Sequence, residues 1–134
     1  MVSCVFCSII NQEEPALKVY EDDHTVAIIP RKPEAWGHCL VIPKQHCEDL
    51  FSIPDDALAS LSKAVKNVAR LCKDKLRAEG VNILHASGKT AGQSVPHFHF
   101  HVIPRYEGDG VDAWMRRPKD FTDRREELFR VLSG

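Results

Sequence analysis

The stretch "SVPHFHFHVIPR" (residues 94–105) places a histidine at every second position from 97 to 101, with phenylalanine or valine after each one. Because a β-strand turns alternate side chains to opposite faces, this spacing predicts a strand over residues 95–104 that carries all three imidazoles on one face. The other face, with Phe98, Phe100 and Val102, is apolar and is expected to face the core. Pro104 is expected to end the strand, because it lacks a ladder donor.

The imidazole face has three interpretations, which the stretch alone leaves open. The first is a solvated or internally hydrogen-bonded face. The second is a three-histidine catalytic metal site. In a strand, however, the Cα atoms of His97 and His101 lie about 13 Å apart. Zinc binds nitrogen at about 2.0–2.1 Å, so all three rings could converge only across a strong bulge. The third gives one ring the role of nucleophile, a second the management of protons at the leaving group, and the last a structural role.

The loop before the histidines, "SGKTAGQS" at residues 87–94, favours phosphorus as the electrophile. Its glycine amides and short polar side chains can contact phosphate oxygens. The loop matches neither the dinucleotide-binding fingerprint nor the Walker pattern, so it is a weak signal by itself.

The rest of the chain predicts an α+β fold built on an antiparallel sheet. Two strands around an acidic turn are indicated over residues 17–30, a third over 38–43 and a fourth over 81–86, and the histidine stretch supplies the fifth. One long helix falls between the third and fourth strands, and a short helix follows near the C-terminus.

The helix boundaries are predicted from capping residues. Ser52 followed by Asp55 resembles a capping box at the start of the long helix, and Gly80 is expected to end that helix. Thr122 is the expected cap of the C-terminal helix over residues 121–132. The long helix presents one apolar stripe, formed by Leu58, Leu61, Val65, Val68, Cys72 and Leu76.

Length and composition predict a single soluble domain over residues 1–134. Apolar residues make up 43% of the chain and charged residues 28%, as in ordinary globular proteins. The formal net charge of −1 gives no basic field that would attract nucleic acid or an anionic membrane. The sequence shows neither a membrane-spanning stretch nor a signal-peptide pattern, so a cytoplasmic location is expected.

The five cysteines are an odd number and do not indicate a disulfide framework in a chain without export signals. Cys39 and Cys72 lie in apolar patterns and are expected to be reduced core residues. Cys4 and Cys7 have CxxC spacing, which fits a zinc knuckle, a redox pair or incidental surface thiols. The redox interpretation expects a strand before the motif, and no strand pattern precedes Cys4.

Three segments together closely resemble the histidine triad family of nucleotide hydrolases and transferases: "GQSVPHFHFHVIPR", "GHCLVIPKQH" at residues 37–46 and "CVFC" at residues 4–7. The resemblance covers about residues 3–106, leaving a tail over 107–134. It implies a homodimer with a continuous sheet and a two-step displacement at a nucleotide's α-phosphate. His99 would form a nucleotidyl-histidine intermediate, and His101 would bond phosphate or the leaving group. No cofactor would be needed for the chemistry.

The resemblance also assigns residues around the phosphates. Gln93 and Ser94 would face phosphate, Asn82 falls where the family pattern would place it, and the His97 carbonyl would orient the His99 ring. Two positions depart from the family pattern. Pro30 stands where the family usually has an aspartate that bonds the ribose. Ala86 or Ser87 stands where it usually has an asparagine near the phosphates, and Ser87 is expected to fill part of that gap.

A structural zinc site is implied by the family's zinc-bearing members. In those proteins the CxxC pair is joined by two histidines, which correspond here to His46 and His97. With Cys4 and Cys7 these residues would make a closed four-ligand site, so the metal would not activate water. It would fix the N-terminal segment to the segment that bears the triad.

The roles of two further histidines are open. His38 could reach the nucleotide or serve only the structure, and His85 has no assigned role. The resemblance implies a nucleotide hydrolase or nucleotidyl transferase that acts on a nucleoside phosphoramidate or a dinucleoside polyphosphate. The rival interpretation is a nucleotide-binding regulatory module with little or no turnover, which Pro30 and the missing asparagine keep open.

Overall fold

The computed structural model describes residues 4–113 and 118–134. The strands are β1 (Leu17–Glu21), β2 (Thr25–Ile29), β3 (Cys39–Pro43), β4 (Gly80–Leu84) and β5 (Phe100–Arg105), and the helices are α1 (Val5–Ile10), α2 (Asp55–Leu76) and α3 (Arg125–Ser133). The five strands form one antiparallel sheet in the order β1-β2-β3-β5-β4, which confirms the predicted α+β class.

The long helix α2 covers one face of the sheet with the predicted apolar stripe. Leu61, Val65, Val68 and Cys72 are buried, and the first three pack against alternate residues of the central strands, among them Val41 and Val102. Phe98 is fully buried in the same core. The expectation that the apolar residues of the histidine stretch face the core is therefore confirmed.

The short helix α1, which the sequence did not predict, covers part of the opposite face. Its Phe6 and Ile9 are buried against Ile28, Leu40 and Ile42. Cys4 is the N-cap residue, and its Sγ accepts a hydrogen bond from the backbone N–H of Cys7 at 3.4 Å. The CxxC pair is therefore held at one end of a helix that is anchored to the sheet.

Both predicted boundaries of α2 are wrong. The N-cap position is Pro54, and the Ser52 hydroxyl bonds Asp49 instead of the helix start. The helix ends at Leu76, because Arg77 adopts a left-handed conformation with φ of 57°, the geometry that commonly terminates helices. Gly80 is the first residue of β4.

The predicted fifth strand is too long at its start. β5 begins at Phe100, because Val95 to His97 form a tight turn closed by a 2.8 Å bond from the His97 N–H to the Val95 carbonyl. Pro96 within this turn cannot donate to a ladder. Pro104 lies inside the ladder opposite Val81, and the strand ends at Arg105.

The predicted C-terminal helix is confirmed as α3, but its cap is wrong. Thr122 lies in a 3₁₀ turn (Thr122–Arg124) that precedes the helix. Its N–H and hydroxyl bond the carboxylate of Asp120. The apolar side chains of α3, including Phe129 and Leu132, are exposed.

Candidate functional site

The four predicted metal ligands, one of which is the first triad histidine, lie close together. Sγ of Cys4 lies 3.3 Å from Nδ1 of His97, and Sγ of Cys7 lies 3.3 Å from Nδ1 of His46. The two Nδ1 atoms are 3.1 Å apart, and all four ligand atoms lie within 4.8 Å of one another. Residues 90 positions apart in the sequence therefore form one compact Cys₂His₂ group.

This group has the chemistry of a zinc site. In a tetrahedral zinc site the bond lengths separate the ligand atoms by roughly 3.3–3.8 Å, close to the distances found here. Nε2–H of His97 donates to the Pro43 carbonyl at 2.9 Å, so the lone pair on Nδ1 is free to bind a metal, and the carbonyl fixes the ring as metal-binding histidines require. Burial raises the pKa of the Cys7 thiol to about 11, and Cys4 adds to the rise; a bound cation would reverse this effect.

The middle histidine of the triad has its ring orientation fixed by the backbone. Nδ1 of His99 lies 2.8 Å from the His97 carbonyl oxygen. Because a carbonyl only accepts, Nδ1 carries the proton, and Nε2 of the neutral ring holds a lone pair. The ring is buried and meets Phe6 edge-on at 5.2 Å. This tautomer gives His99 a nitrogen able to attack an electrophile.

The third histidine has the opposite tautomer. The backbone N–H of Glu34 donates to Nδ1 of His38 at 3.0 Å, so the proton of the neutral His38 ring is on Nε2. That atom lies 3.0 Å from Nδ1 of His101, which must then accept. The proton of His101 is therefore on Nε2, and His101 can donate a hydrogen bond from that nitrogen.

Burial keeps these rings neutral. It is the largest cause that lowers the pKa of His38, His97 and His99 below the ordinary histidine value. The pKa of His101 falls to about 4, because burial and the nearby His99, His38 and His85 rings all oppose its protonation. At neutral pH these four rings are therefore neutral, as the tautomer assignments require.

His85 and Ser87 form a second bonded group next to the triad. Nδ1 of His85 lies 2.9 Å from the His99 carbonyl oxygen, and its Nε2 contacts the Ser87 hydroxyl. The Ser87 oxygen also accepts from the Leu50 N–H at 2.8 Å. The hydroxyl predicted to contact phosphate is therefore already engaged within the protein.

The Gln93 side chain braces the loop that precedes the triad. Its Oε1 accepts from the Gly88 N–H at 2.7 Å, and its Nε2 donates to the carbonyls of Glu48 and Val95 at 2.6 and 3.0 Å. Ser94 next to it is exposed. Direct contact of Gln93 and Ser94 with phosphate stays a prediction, while the bracing role of Gln93 is visible in its bonds.

Asn82 lies on β4 opposite Ile103. Its Oδ1 accepts from the guanidinium of Arg105 at 2.8 Å, and the same guanidinium pairs with the carboxylate of Asp109 at 2.9 Å. Asn82 therefore helps hold the chain just after β5. Its predicted contact with the nucleotide stays a prediction.

Comparison with known proteins identifies the family. A family model described as the HIT domain matches residues 11–108. The chain belongs to the histidine triad family. An uncharacterised HIT-like protein of Methanocaldococcus jannaschii is 50% identical over 107 residues, which are 80% of this chain and 82% of that protein.

Solved structures of the family share the fold. A zinc-bound histidine triad family protein from Mycobacterium smegmatis is 38% identical with a TM-score of 0.79, over 98% of this chain and 96% of that one. A hypothetical histidine triad nucleotide-binding protein from Sulfolobus tokodaii is 39% identical with a TM-score of 0.76, over 96% and 89% of the two chains.

The structure places the positions that the sequence resemblance set apart from the family pattern, Pro30 and Ala86 or Ser87. Pro30 follows β2 directly, and its side chain has no group that could bond a ribose hydroxyl. Ala86, between His85 and Ser87, likewise lacks an amide for phosphate. In the part of the chain that the structure describes, none of the helices combines the length and hydropathy needed to cross a bilayer.

The sequence alone does not assign roles to His38 and His85. Each ring hydrogen-bonds a triad residue that is distant in sequence, His38 through its ring neighbour His101 and His85 through the backbone of His99. The register that sets Leu40 opposite His101 brings His38 to the triad. Strand register between distant segments cannot be read from one sequence, although the "GH" at 37–38 within the family-like segment was an available signal.

Proposed function

We propose that the protein is a nucleotide hydrolase or nucleotidyl transferase that acts at the α-phosphate through His99. The observation that carries the proposal is the pair of opposite tautomers in adjacent rings. Nε2 of His99 is unprotonated and holds a lone pair, whereas Nε2 of His101 carries a proton. A nucleophile and a hydrogen-bond donor in contact are what displacement at phosphorus requires. The S. tokodaii relative, named as nucleotide-binding, supports the substrate class.

In the first step the Nε2 lone pair of His99 forms a bond to the α-phosphorus, and the bond from phosphorus to the leaving group breaks with its electron pair. Nε2–H of His101 donates a hydrogen bond to the departing atom and stabilises its charge, and solvent supplies the final proton. The Nδ1–H of His99 stays bonded to the His97 carbonyl, which stabilises the positive ring of the intermediate.

In the second step water attacks the same phosphorus atom. The bond between phosphorus and Nε2 of His99 breaks, the electron pair returns to the ring, and the proton of water passes to solvent. An alcohol or phosphate in place of water would make the same enzyme a transferase. Neutral imidazoles suit both steps, because a protonated His99 would have no lone pair.

Phosphate binding is assigned to the loop before the triad. Ser94 is exposed beside the site, while Gln93 holds the loop in shape through three backbone bonds. Because the amides of Gly88 and Gly92 already donate to Gln93 and to the Lys89 carbonyl, the Ser94 side chain of this loop would meet phosphate oxygens. Ser87 and Asn82 would support the site indirectly, because each side chain already hydrogen-bonds within the protein.

We assign the Cys₂His₂ group a structural zinc ion. The ligand geometry supports zinc, and the M. smegmatis relative is zinc-bound. Cys4, Cys7, His46 and His97 would hold the metal, which would link α1 to the segment that leads into His99. The four protein ligands would leave no position for water, so the metal would stabilise the site without entering the chemistry.

The expected assembly is a cytoplasmic homodimer. β4 lies at one edge of the sheet, and its Val81 and Ile83 are 42% and 40% exposed. An edge strand with exposed apolar residues favours pairing with a second copy. Light scattering coupled to size-exclusion chromatography tests this state.

A nucleotide-binding module without turnover is the second candidate, because Pro30 and Ala86 remove two groups that the family pattern expects at ribose and phosphate. Steady-state assays with an adenosine phosphoramidate and a dinucleoside polyphosphate separate the two candidates. Turnover that is lost in His99→Ala supports the enzyme. Binding of these nucleotides without turnover in the wild type contradicts it and favours the module.

A further inference from the structure

His85 occupies a position that packing alone does not explain. Its ring stacks on Phe98 at 4.2 Å with an interplanar angle of 20°, and it meets Phe100 edge-on at 5.4 Å. Both phenylalanines flank His99 in the sequence. A plain aromatic ring could make these contacts, so the imidazole nitrogens point to an additional role.

The hydrogen bonds of His85 form an ordered chain. Its Nδ1 must donate, because the partner at 2.9 Å is the carbonyl oxygen of His99. In the neutral ring Nε2 must then accept, and the Ser87 hydroxyl is the donor in contact with it. The Ser87 oxygen in turn accepts from the N–H of Leu50. Every donor in this chain has an acceptor, so the His85 ring is fixed in one tautomer and one orientation.

The anchored carbonyl belongs to a residue outside the regular strand. β5 begins at Phe100, and the register with β4 begins where Leu84 faces His101. The His99 carbonyl is thus held by a side chain at the point where ladder bonding starts. The other end of the same residue is held through its ring, which bonds the His97 carbonyl.

We propose that His85 is a positioning residue for the nucleophile, which fixes the His99 backbone so that Nε2 points at phosphorus. This inference rests on the proposed function and deepens it. Through Ser87 and Leu50, the same chain links the nucleophile to the segment that follows the zinc ligand His46. A small displacement of an attacking atom is enough to cost a large part of the rate.

Two substitutions at His85 separate positioning from packing, because one keeps the ring and the other keeps the hydrogen-bond donor. His85→Phe keeps the ring stacked on Phe98 and removes both hydrogen bonds. His85→Asn loses the ring and keeps an amide N–H near the place of Nδ1, so it can still donate to the His99 carbonyl. His24→Asn, the same change at an exposed turn residue, is the matched control.

The readouts are kcat and KM with an adenosine phosphoramidate, together with the melting temperature. We expect His85→Phe to lower kcat about tenfold with KM changed by less than about twofold. His85→Asn is expected to recover most of kcat even where it melts lower, and His24→Asn to match the wild type. A fully active Phe variant beside a defective Asn variant would overturn the proposal, since that is the pattern of a packing role.

A second measurement tests the tautomer of His85 without substrate. Long-range ¹H–¹⁵N NMR of the free wild-type protein is expected to show His85 with its proton on Nδ1. A proton on Nε2 would overturn the proposal even if both variants failed to fold. Absence of turnover in the wild type would instead remove the proposed function, and the NMR result would still stand as a test of the anchored carbonyl.

Discussion

Nε2 of His38 and Nδ1 of His101 lie 3.0 Å apart. Because Nδ1 of His101 accepts in this bond, Nε2 of His101 carries the proton and can donate, whereas Nε2 of His99 carries a lone pair. The assignment begins at the Glu34 N–H, which occupies Nδ1 of His38. The Glu34 backbone N–H therefore determines which nitrogen carries the proton in His38 and, through His38, in His101. In His99, by contrast, Nδ1 donates to the His97 carbonyl, so the proton is on Nδ1 and Nε2 has none.

The first prediction concerns His38. His38→Phe keeps a ring of similar size but removes the Nε2–H that fixes the His101 tautomer, so kcat should fall by about tenfold or more. His38→Gln places an amide N–H near the position of Nε2 and should recover part of that loss. The measurement is kcat for both variants. Equal activity of His38→Phe and the wild type would contradict the tautomer assignment.

The second prediction concerns the metal. Replacing Cys4 and Cys7 by serine should abolish stoichiometric zinc in protein purified without a histidine tag, as measured by elemental analysis. The melting temperature should fall by several degrees, because metal binding contributes to folding. At a temperature where the variant is folded, kcat should fall less than it does in His99→Ala.

A matched control is Cys39→Ser with Cys72→Ser, which removes two buried thiols on the α2 side of the sheet. This variant should lose stability and keep its zinc. Loss of zinc in this control, or retention in the Cys4 and Cys7 variant, would contradict the assigned ligands.

The third prediction concerns pH. The pKa of His101 is lowered to about 4, against about 6.5 in an unfolded chain. Between these values the unfolded chain binds a proton that the folded chain does not. The stabilising contribution is therefore complete above about pH 6.5 and is lost as the pH falls towards 4.

Urea unfolding at about pH 7.5 and about pH 5 measures this effect. Between the two conditions the wild type should lose about 1 kcal/mol more than His101→Asn, with allowance for solvent screening of a half-buried ring. The comparison cancels the proton uptake of the zinc ligands, which both proteins share. Equal losses would contradict a neutral, half-buried His101.

The fourth prediction concerns the glycine that precedes His38. Gly37 has φ of +96°, and a Cβ there would lie 2.7 Å from Cδ1 of Leu76 and 2.9 Å from Cγ of Pro104. Gly37→Ala should lower the free energy of unfolding by about 2–3 kcal/mol. Gly88 has a similar φ of +92° with open space around it, so Gly88→Ala should cost about 1 kcal/mol. Denaturant unfolding checks the difference, and equal costs would show that the contacts of Gly37 are unimportant.

Much of the fold could be predicted from short-range pattern. The alternation of histidine with Phe98 and Phe100 correctly assigned the two faces, because it depends only on the extended geometry of a few residues. The apolar stripe of α2 was equally local. The errors lie at boundaries, where Ser52 and Thr122 bonded nearby aspartates instead of helix ends, a competition that spacing does not decide.

The site was less accessible to sequence reasoning. The grouping of Cys4, Cys7, His46 and His97 was expected only through the family resemblance, and the structure brings them together. The tautomers of His99 and His101 depend on bonds to a carbonyl and to a distant ring. Such bonds require the packed fold, because residue spacing carries no information on which nitrogen bears the proton.

The most direct test of the mechanism is to trap the intermediate. The wild-type protein is mixed with an adenosine phosphoramidate, quenched in alkali, which preserves phosphohistidine-type bonds, and analysed by intact mass and peptide mapping. An adduct of one nucleoside monophosphate is expected on His99, absent in His99→Ala and retained in His24→Asn. Turnover without such an adduct, or an adduct on another residue, would contradict the mechanism.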